Sequence, residues 1–593
     1  MTRPRPSDRL RRTLTLLATL LLVAAVLPAA ALAREAASQR HMVVFKGDYA
    51  LDAGYALGAG YALGPVDALG AEYALGPTYA LVDEYALGKG YALYALDEAY
   101  ALGLDYALYA LYALDEAYAL LDEYALDGGY ALPGGYALPA VYALDDTYAL
   151  AREYALRLVE DAGGAVTSDL SRQLGVMVVD SKNAAFAETM RGYALVETVG
   201  GDFGWKAFPS FQEAVASGAL TVLETDGVKG NGEPLSDLQW NMRLIRVPEA
   251  HGVSTGSPRV DVGIIDTGID GAHADFIRSG SGSNVDCVRG ADFTAEGPGI
   301  GLPAACVDNN FHGTHVAGIV AARLNGHGVM GVAPDVSLVP VKVCDADGHC
   351  YASDVVEGIT YAGDIALDVI NMSFFVDDDA FQQSTEAKCM DDPQQRAFRQ
   401  ATERAITYVR QKGGTPVAAL GNSDRDLANK PEGGNCAVVP AETSGVVGTM
   451  SVGPESGKAW FSSYGSGSVD VGAPGGDLDE LRDGPGAWCE RQVLSTLPGN
   501  AWGCFQGTSM ASPHAAGVAA LIISRHGKAD KNGNLGMSPS SVASHLQKTS
   551  VDIGLAGYDE CFGHGRVDAL RAVNGQTSGL YDAQAPHCPE YSE

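Results

Sequence analysis

Val260-Asp261-Val262-Gly263-Ile264-Ile265-Asp266-Thr267-Gly268 is an apolar run that ends on a carboxylate and a glycine. Its valines and isoleucines predict a buried strand of a helix-covered parallel sheet, with Asp266 held rigidly at the strand's end. Two later runs complement it. Phe311-His312-Gly313-Thr314-His315-Val316-Ala317-Gly318 opens a helix with a histidine, and Gly507-Thr508-Ser509-Met510-Ala511-Ser512-Pro513-His514 opens another with a serine. The alanine-rich stretch from Ala515 to Ile523 predicts a buried helix behind that serine, with Pro513 in a first turn where a missing N–H costs little.

These residue types belong together chemically. A serine hydroxyl is a poor nucleophile at neutral pH and needs a base to take its proton, a task suited to an imidazole; His312 is the candidate. The imidazole needs a buried carboxylate to fix its tautomer and support the imidazolium, a role that falls to Asp266. Ser509 at a helix start faces unpaired N–H groups and the positive end of the helix dipole. Asn422, after the strand-like Val417-Ala418-Ala419-Leu420-Gly421, is the candidate side-chain donor to a developing oxyanion.

In the order Asp266, His312, Ser509, the three runs resemble the subtilisin-like serine proteases, over roughly Glu233 to Ala572. Val369-Ile370-Asn371-Met372-Ser373 is similar to the family's substrate-binding strand, which gives Ser373 a substrate-binding role by resemblance. Gly563-His564-Gly565-Arg566-Val567-Asp568-Ala569-Leu570 resembles the segment that closes the domain. Two departures stand out: Leu420-Gly421-Asn422 where the family often has Ala-Gly-Asn, and Phe374-Phe375 where it usually has Leu-Gly. The resemblance implies an α/β fold, a three-layer parallel-sheet catalytic domain preceded by a small α+β, ferredoxin-like inhibitory propeptide. It implies a secreted serine endopeptidase that works through an acyl-enzyme on Ser509 and is made as a self-processing zymogen. No cofactor is expected for catalysis; structural calcium is a family feature for which Asp377-Asp378-Asp379 offers oxygens, though an acidic loop is more often simply solvated.

Other readings compete. Aspartic proteases carry Asp-Thr-Gly, but they need two such triplets in one site, and only Asp266-Thr267-Gly268 is present. Ser509 and His312 taken alone fit helix caps. His315, His514, His273, His327, His349 and His564 read as packing or hydrogen-bonding residues. From a different functional class, a catalytically inactive protease-like scaffold with a repeat-based surface-binding role is the alternative; four intact site residues argue against it. An esterase would place its serine in a Gly-x-Ser-x-Gly elbow, which Ser509 lacks.

Composition narrows the partners. The 593 residues hold 40 Lys and Arg against 73 Asp and Glu, a net charge of -33 that disfavours nucleic acid and anionic membranes. Protein or peptide substrates and the chain's own propeptide remain as partners, for a monomer. Arg3, Arg5, Arg9, Arg11 and Arg12 precede an apolar run from Leu14 to Leu27 and an Ala31-Leu32-Ala33 cleavage pattern, so residues 1–33 are expected to be a signal peptide and the product extracellular. Paired Arg11-Arg12 leaves twin-arginine export open. Ten cysteines behind an export signal favour disulfides, with Cys344 and Cys350 able to close a short loop.

From Tyr49 to Leu156, Tyr-Ala-Leu recurs mostly every six residues with Gly, Asp, Glu or Pro between copies. Successive copies on a helix would rotate by about 240°, so no single helical face forms, and the segment reads as low complexity. Its flanks carry more. His41 to Gly47 predicts a strand, 151–162 a helix, Gly175 to Val179 a strand, Ala184 to Met190 a helix and Ala194 to Val199 a strand. The expected organisation is 1–33 signal, 34–203 propeptide with the repeat inserted at 49–156, 204–234 linker containing the processing site, and 235–593 peptidase domain.

Overall fold

The computed structural model describes residues 38–46, 152–223, 233–278, 280, 282–297, 299–300, 303–376, 392–429, 436–478, 488–529, 533 and 535–586. The expected signal peptide, the Tyr-Ala-Leu repeat up to residue 151 and the acidic run Asp377-Asp378-Asp379 lie outside them.

The amino-terminal unit begins with β1 (Gln39–Phe45), helix α1 (152–161), β2 (Gly164–Leu170) and β3 (Val176–Ser181). Helix α2 (Phe186–Arg191) and β4 (Val196–Gly201) complete it. The antiparallel sheet has the order β2-β3-β1-β4, which with two helices gives the ferredoxin-like βαββαβ arrangement. Strand alternation splits the core: Val43, Phe45, Met177 and Val179 pack with α1 and α2. Met42, Val44, Val176 and Val178 face the rest of the molecule.

Residues 204–223, expected as plain linker, contain three short elements: β5 (Gly204–Lys206), α3 (Phe211–Ala216) and β6 (Thr221–Leu223). Ser210 starts α3 with a capping box shared with Glu213, which satisfies donors that a short helix otherwise leaves orphaned.

The main domain is built on an eight-stranded sheet. Its strands are β7 (Asp261–Asp266), β8 (Ala291–Asp292), β9 (Gly299–Ile300), β10 (Ser337–Lys342), β12 (Val369–Met372), β13 (Thr415–Ala419), β14 (Val447–Val452) and β15 (Val471–Pro474), with β11 (His349–Tyr351) outside it. The spatial order is β9-β8-β10-β7-β12-β13-β14-β15, parallel except for β9. Helices α4 (His312–Ala321) and α7 (Thr508–His526) cover one face, meeting Val262, Ile264, Leu338, Val369 and Val417. Helices α5 (Ala352–Asp364) and α6 (Pro393–Gln411) cover the other, meeting Ile265, Val339, Val341, Ile370 and Ala418. Adjacent residues of one strand thus serve opposite layers, which explains the unbroken apolar runs. The amino-terminal sheet rests on α5 and α6. A hairpin, β16 (Val493–Leu497) and β17 (Ala501–Phe505), pairs with β6 on the far side of the cleft.

Disulfides join Cys287 to Cys306, Cys344 to Cys350 and Cys489 to Cys504; Cys436 and Cys561 are also disulfide-bonded. Among the described residues no helix is long and apolar enough to cross a membrane, and no acidic, histidine or cysteine group is arranged to hold a metal.

Candidate active site

Parallel strands deliver their carboxyl ends to one edge of the sheet, where loops and helix starts converge. β7 ends there on Asp266, and α4 starts there on His312. Gly313 lets the two meet: a Cβ at this position would lie 2.1 Å from the Gly268 carbonyl oxygen, so any larger residue would push the helix off the strand end. His312 Nδ1 donates to Asp266, at 2.8 Å from Oδ1 and 3.0 Å from Oδ2, with both side chains fully buried. The Thr267 N–H donates to the same Oδ1 at 2.8 Å. A proton on Nδ1 leaves Nε2 as the free lone pair, and Nε2 is buried with no hydrogen-bond partner among the described residues.

Ser509 is the second residue of α7, in the turn whose N–H groups have no intrahelical acceptor. Pro513, expected in that turn as well, is the sixth residue of the helix, beyond the turn where a proline is harmless. Its missing N–H orphans the Ser509 carbonyl four residues back. Ser373 repairs the fault by donating its hydroxyl to that carbonyl at 2.8 Å. Asn371 Nδ2 donates to Ser373 Oγ, and Ser512 Oγ donates to Asn371 Oδ1. The Ser373 side chain is therefore spent on the framework beneath Ser509.

Asn422 sits beside the same helix start. Its Oδ1 accepts from the Thr508 N–H at 2.9 Å and the Thr508 hydroxyl at 2.8 Å, which turns Nδ2 away from Thr508 and leaves it free to donate. The two neighbouring histidines are packing residues. His315 Nε2 donates to the carbonyls of Val493 and Gly503, and burial together with the charge of His312 pushes it down to about 3. His514 donates from Nδ1 to Met510 and accepts from Asn241, and burial holds it at about 4.

Sequence reading missed two contributors. Asp308, in the loop before α4, accepts from Thr267, Asn310 and Thr314. Phe208 lies over the His312 ring, with centroids 3.7 Å apart and planes 22° from parallel. β5 pairs antiparallel with β11, placing Lys206 opposite His349, and the N–H groups of Ala207 and Phe208 donate to the Gly348 carbonyl at 2.9 and 3.2 Å. Gly348 has φ +82°, and a Cβ there would lie 2.1 Å from the Phe208 carbonyl oxygen, so glycine is what admits the strand. Asn310 donates to the Pro209 carbonyl at 3.1 Å, after which the chain turns through α3 to β6 and the hairpin beyond. The segment 204–223 thus runs through the site from one wall to the other.

Fold and site define a three-layer, parallel-sheet protein with a serine at a helix start and a buried Asp-His pair, the parts of a hydrolase of the acyl-transfer type. The subtilase family model matches residues 258–565, and the chain belongs to that family. It is 33% identical to Subtilisin DY of Bacillus licheniformis over 334 residues, 56% of this chain and 98% of that protein. It is 31% identical to Subtilisin BL of Lederbergia lenta over a stretch of the same length and shares. The epidermin leader peptide processing serine protease of Staphylococcus aureus shares the fold, with a TM-score of 0.54 at 21% identity over 72% of this chain and 97% of that one. The protein is accordingly a serine endopeptidase that acts on protein or peptide substrates, in a family whose catalysis needs no cofactor.

Proposed function

We propose that this is a secreted endopeptidase, made as a self-processing zymogen, that hydrolyses peptide bonds through an acyl-enzyme on Ser509. The observation that carries the reading is the buried Asp266–His312 pair, which leaves Nε2 as an unshared base. Ser509 Oγ attacks the scissile carbonyl carbon as its proton passes to His312 Nε2, and Asp266 supports the imidazolium. The tetrahedral oxyanion takes hydrogen bonds from Asn422 Nδ2 and from main-chain N–H groups at the start of α7. Collapse expels the amine, which leaves with the proton from His312, and water then repeats the sequence on the acyl-enzyme.

Residues 34–203 are the propeptide in this reading, and 204–223 are its inhibitory strap. With Phe208 against His312 and β5 on β11, the strap occupies the ground an extended substrate needs. Cutting between 204 and 234 frees the cleft. The backbone at Ser373, just past the end of β12, serves substrate, since the hydroxyl is engaged below.

Ser509→Ala tests the reading. Casein hydrolysis should fall by roughly a millionfold, and the precursor should stay uncut, because one nucleophile serves both reactions. A Ser509→Ala protein that still processes itself and cleaves casein would mean that another residue is the nucleophile.

A further inference from the structure

We propose that Asp308 is a positioning residue of this reaction, bracing the end of β7 against the first turn of α4 so that the Asp266 carboxylate and the His312 ring keep their register; the inference rests on the triad reading above. Asp308 is buried, 6% exposed, and both its oxygens are filled. Oδ1 accepts from Thr267 Oγ1 at 2.9 Å and from the Asn310 N–H at 3.0 Å. Oδ2 accepts from the Thr314 N–H at 2.9 Å and from Thr314 Oγ1 at 2.7 Å. Only an ionised carboxylate takes all of these donors, because an amide or a protonated acid would turn a donor of its own toward one of them.

The donors belong to the two elements that carry the Asp-His pair. Thr267 follows Asp266 directly, and its N–H already holds Asp266 Oδ1. Its hydroxyl also accepts the Gly313 N–H at 2.9 Å, the residue after His312. Thr314 is two residues beyond His312, and its hydroxyl accepts the Asp270 N–H at 3.0 Å, in the loop leaving β7. Asn310, the other Oδ1 partner, accepts the His312 N–H on its side chain at 3.2 Å. Asp308 is thus the node through which strand end and helix start are tied, and it acts on the reaction through those neighbours.

Charge adds to geometry. Ionised Asp308 is a second anion beside Asp266 and favours the imidazolium that forms during attack. Burial, with a smaller contribution from the nearby Asp266 charge, pushes Asp308 up to about 6. As pH falls through that value, a proton on Asp308 displaces one of the four donors and loosens the brace.

The test is Asp308→Asn in the full-length protein, assayed on a chromogenic peptide with active sites counted by titration. The expected result is a fall in kcat per active site of between about 10- and 100-fold, with KM within about twofold of wild type. The acid limb of kcat/KM should also move to lower pH, because the anion that favours the protonated ring is gone. A residue serving stability alone would lower the melting temperature and the yield of active sites but leave kcat per site and the acid limb unchanged; that result would overturn the proposal. If Asp308→Asn yields no mature enzyme, Thr314→Val decides, since it removes the hydroxyl that ties Asp308 to the Asp270 N–H and keeps the charge and the main-chain bond. A fall in kcat of about 3- to 10-fold at unchanged KM supports the brace, and an unchanged kcat refutes it. Loss of serine-dependent activity in the wild-type protein would instead remove the triad reading itself.

Discussion

Pro513 withdraws the N–H that the Ser509 carbonyl would accept, and Ser373 Oγ stands in for it at 2.8 Å. A buried carbonyl without a partner costs about 1–3 kcal/mol, so Ser373→Ala should destabilise by that amount. The cost should shrink by about 1 kcal/mol or more in a Pro513→Ala background, where the restored N–H at position 513 can close the helix bond. Urea unfolding of the four proteins, all carrying Ser509→Ala to prevent self-digestion, measures the coupling; strictly additive costs would show that Ser373 is not the substitute. Residues such as Asp266, His312 and Ser509 are legible in sequence because each stands at the end of its own apolar run. Asp308 and Ser373 are not, because their partners arrive from afar: Thr267 is 41 residues from Asp308, and Ser509 is 136 from Ser373. Pro513 lies past the first turn because the helix already starts at Thr508, one residue before the serine that opens it in the sequence reading.

Among the elements, the apolar strand ending at Asp266 and the buried helix behind Ser509 are legible in the sequence, whereas those that exist only against a partner are not. β2, Gly-Ala-Val-Thr-Ser-Asp-Leu, is an edge strand with few buried residues and no apolar alternation to mark it. β6 is three residues long and gains its hydrogen bonds from β17, and β5 does the same on β11; a linker reading was the natural result. The docking of the amino-terminal sheet on α5 carries a pH signature. Asp354 and Glu357 of α5 face Asp202 and Arg40 of the amino-terminal unit, and Arg40 also pairs with Asp180; Asp202 accepts from the Ser353 N–H and hydroxyl, and Ser168 donates to Glu357. Burial, reinforced by the neighbouring carboxylates, pushes Asp354 up to about 8 and Glu357 up to about 7. Both folded values lie above the ordinary carboxylate range. The stabilisation they give is therefore complete below that range and is lost as pH rises through about 7 and about 8. Thermal unfolding of Ser509→Ala precursor should show the amino-terminal unit less stable at pH 9 than at pH 6. Asp354→Asn should flatten the difference, and an equal slope in both proteins would refute the assignment.

Over the whole molecule, the chain that supplies the catalytic edge also supplies the segment lying across it. The sheet brings together Asp266, His312 and the loop to Asn422, while 204–223 crosses from β11 on one wall to β17 on the other with Phe208 on the His312 ring between them. The central claim, that Ser509 is the nucleophile of a peptidase released by removal of this segment, is tested most directly by reacting the secreted protein with an active-site serine phosphonate and mapping the adduct by mass spectrometry. The account predicts one adduct, on Ser509, in a chain whose amino terminus lies beyond residue 223. An adduct on another residue, or one formed equally fast on the chain that still carries 152–223, would contradict it.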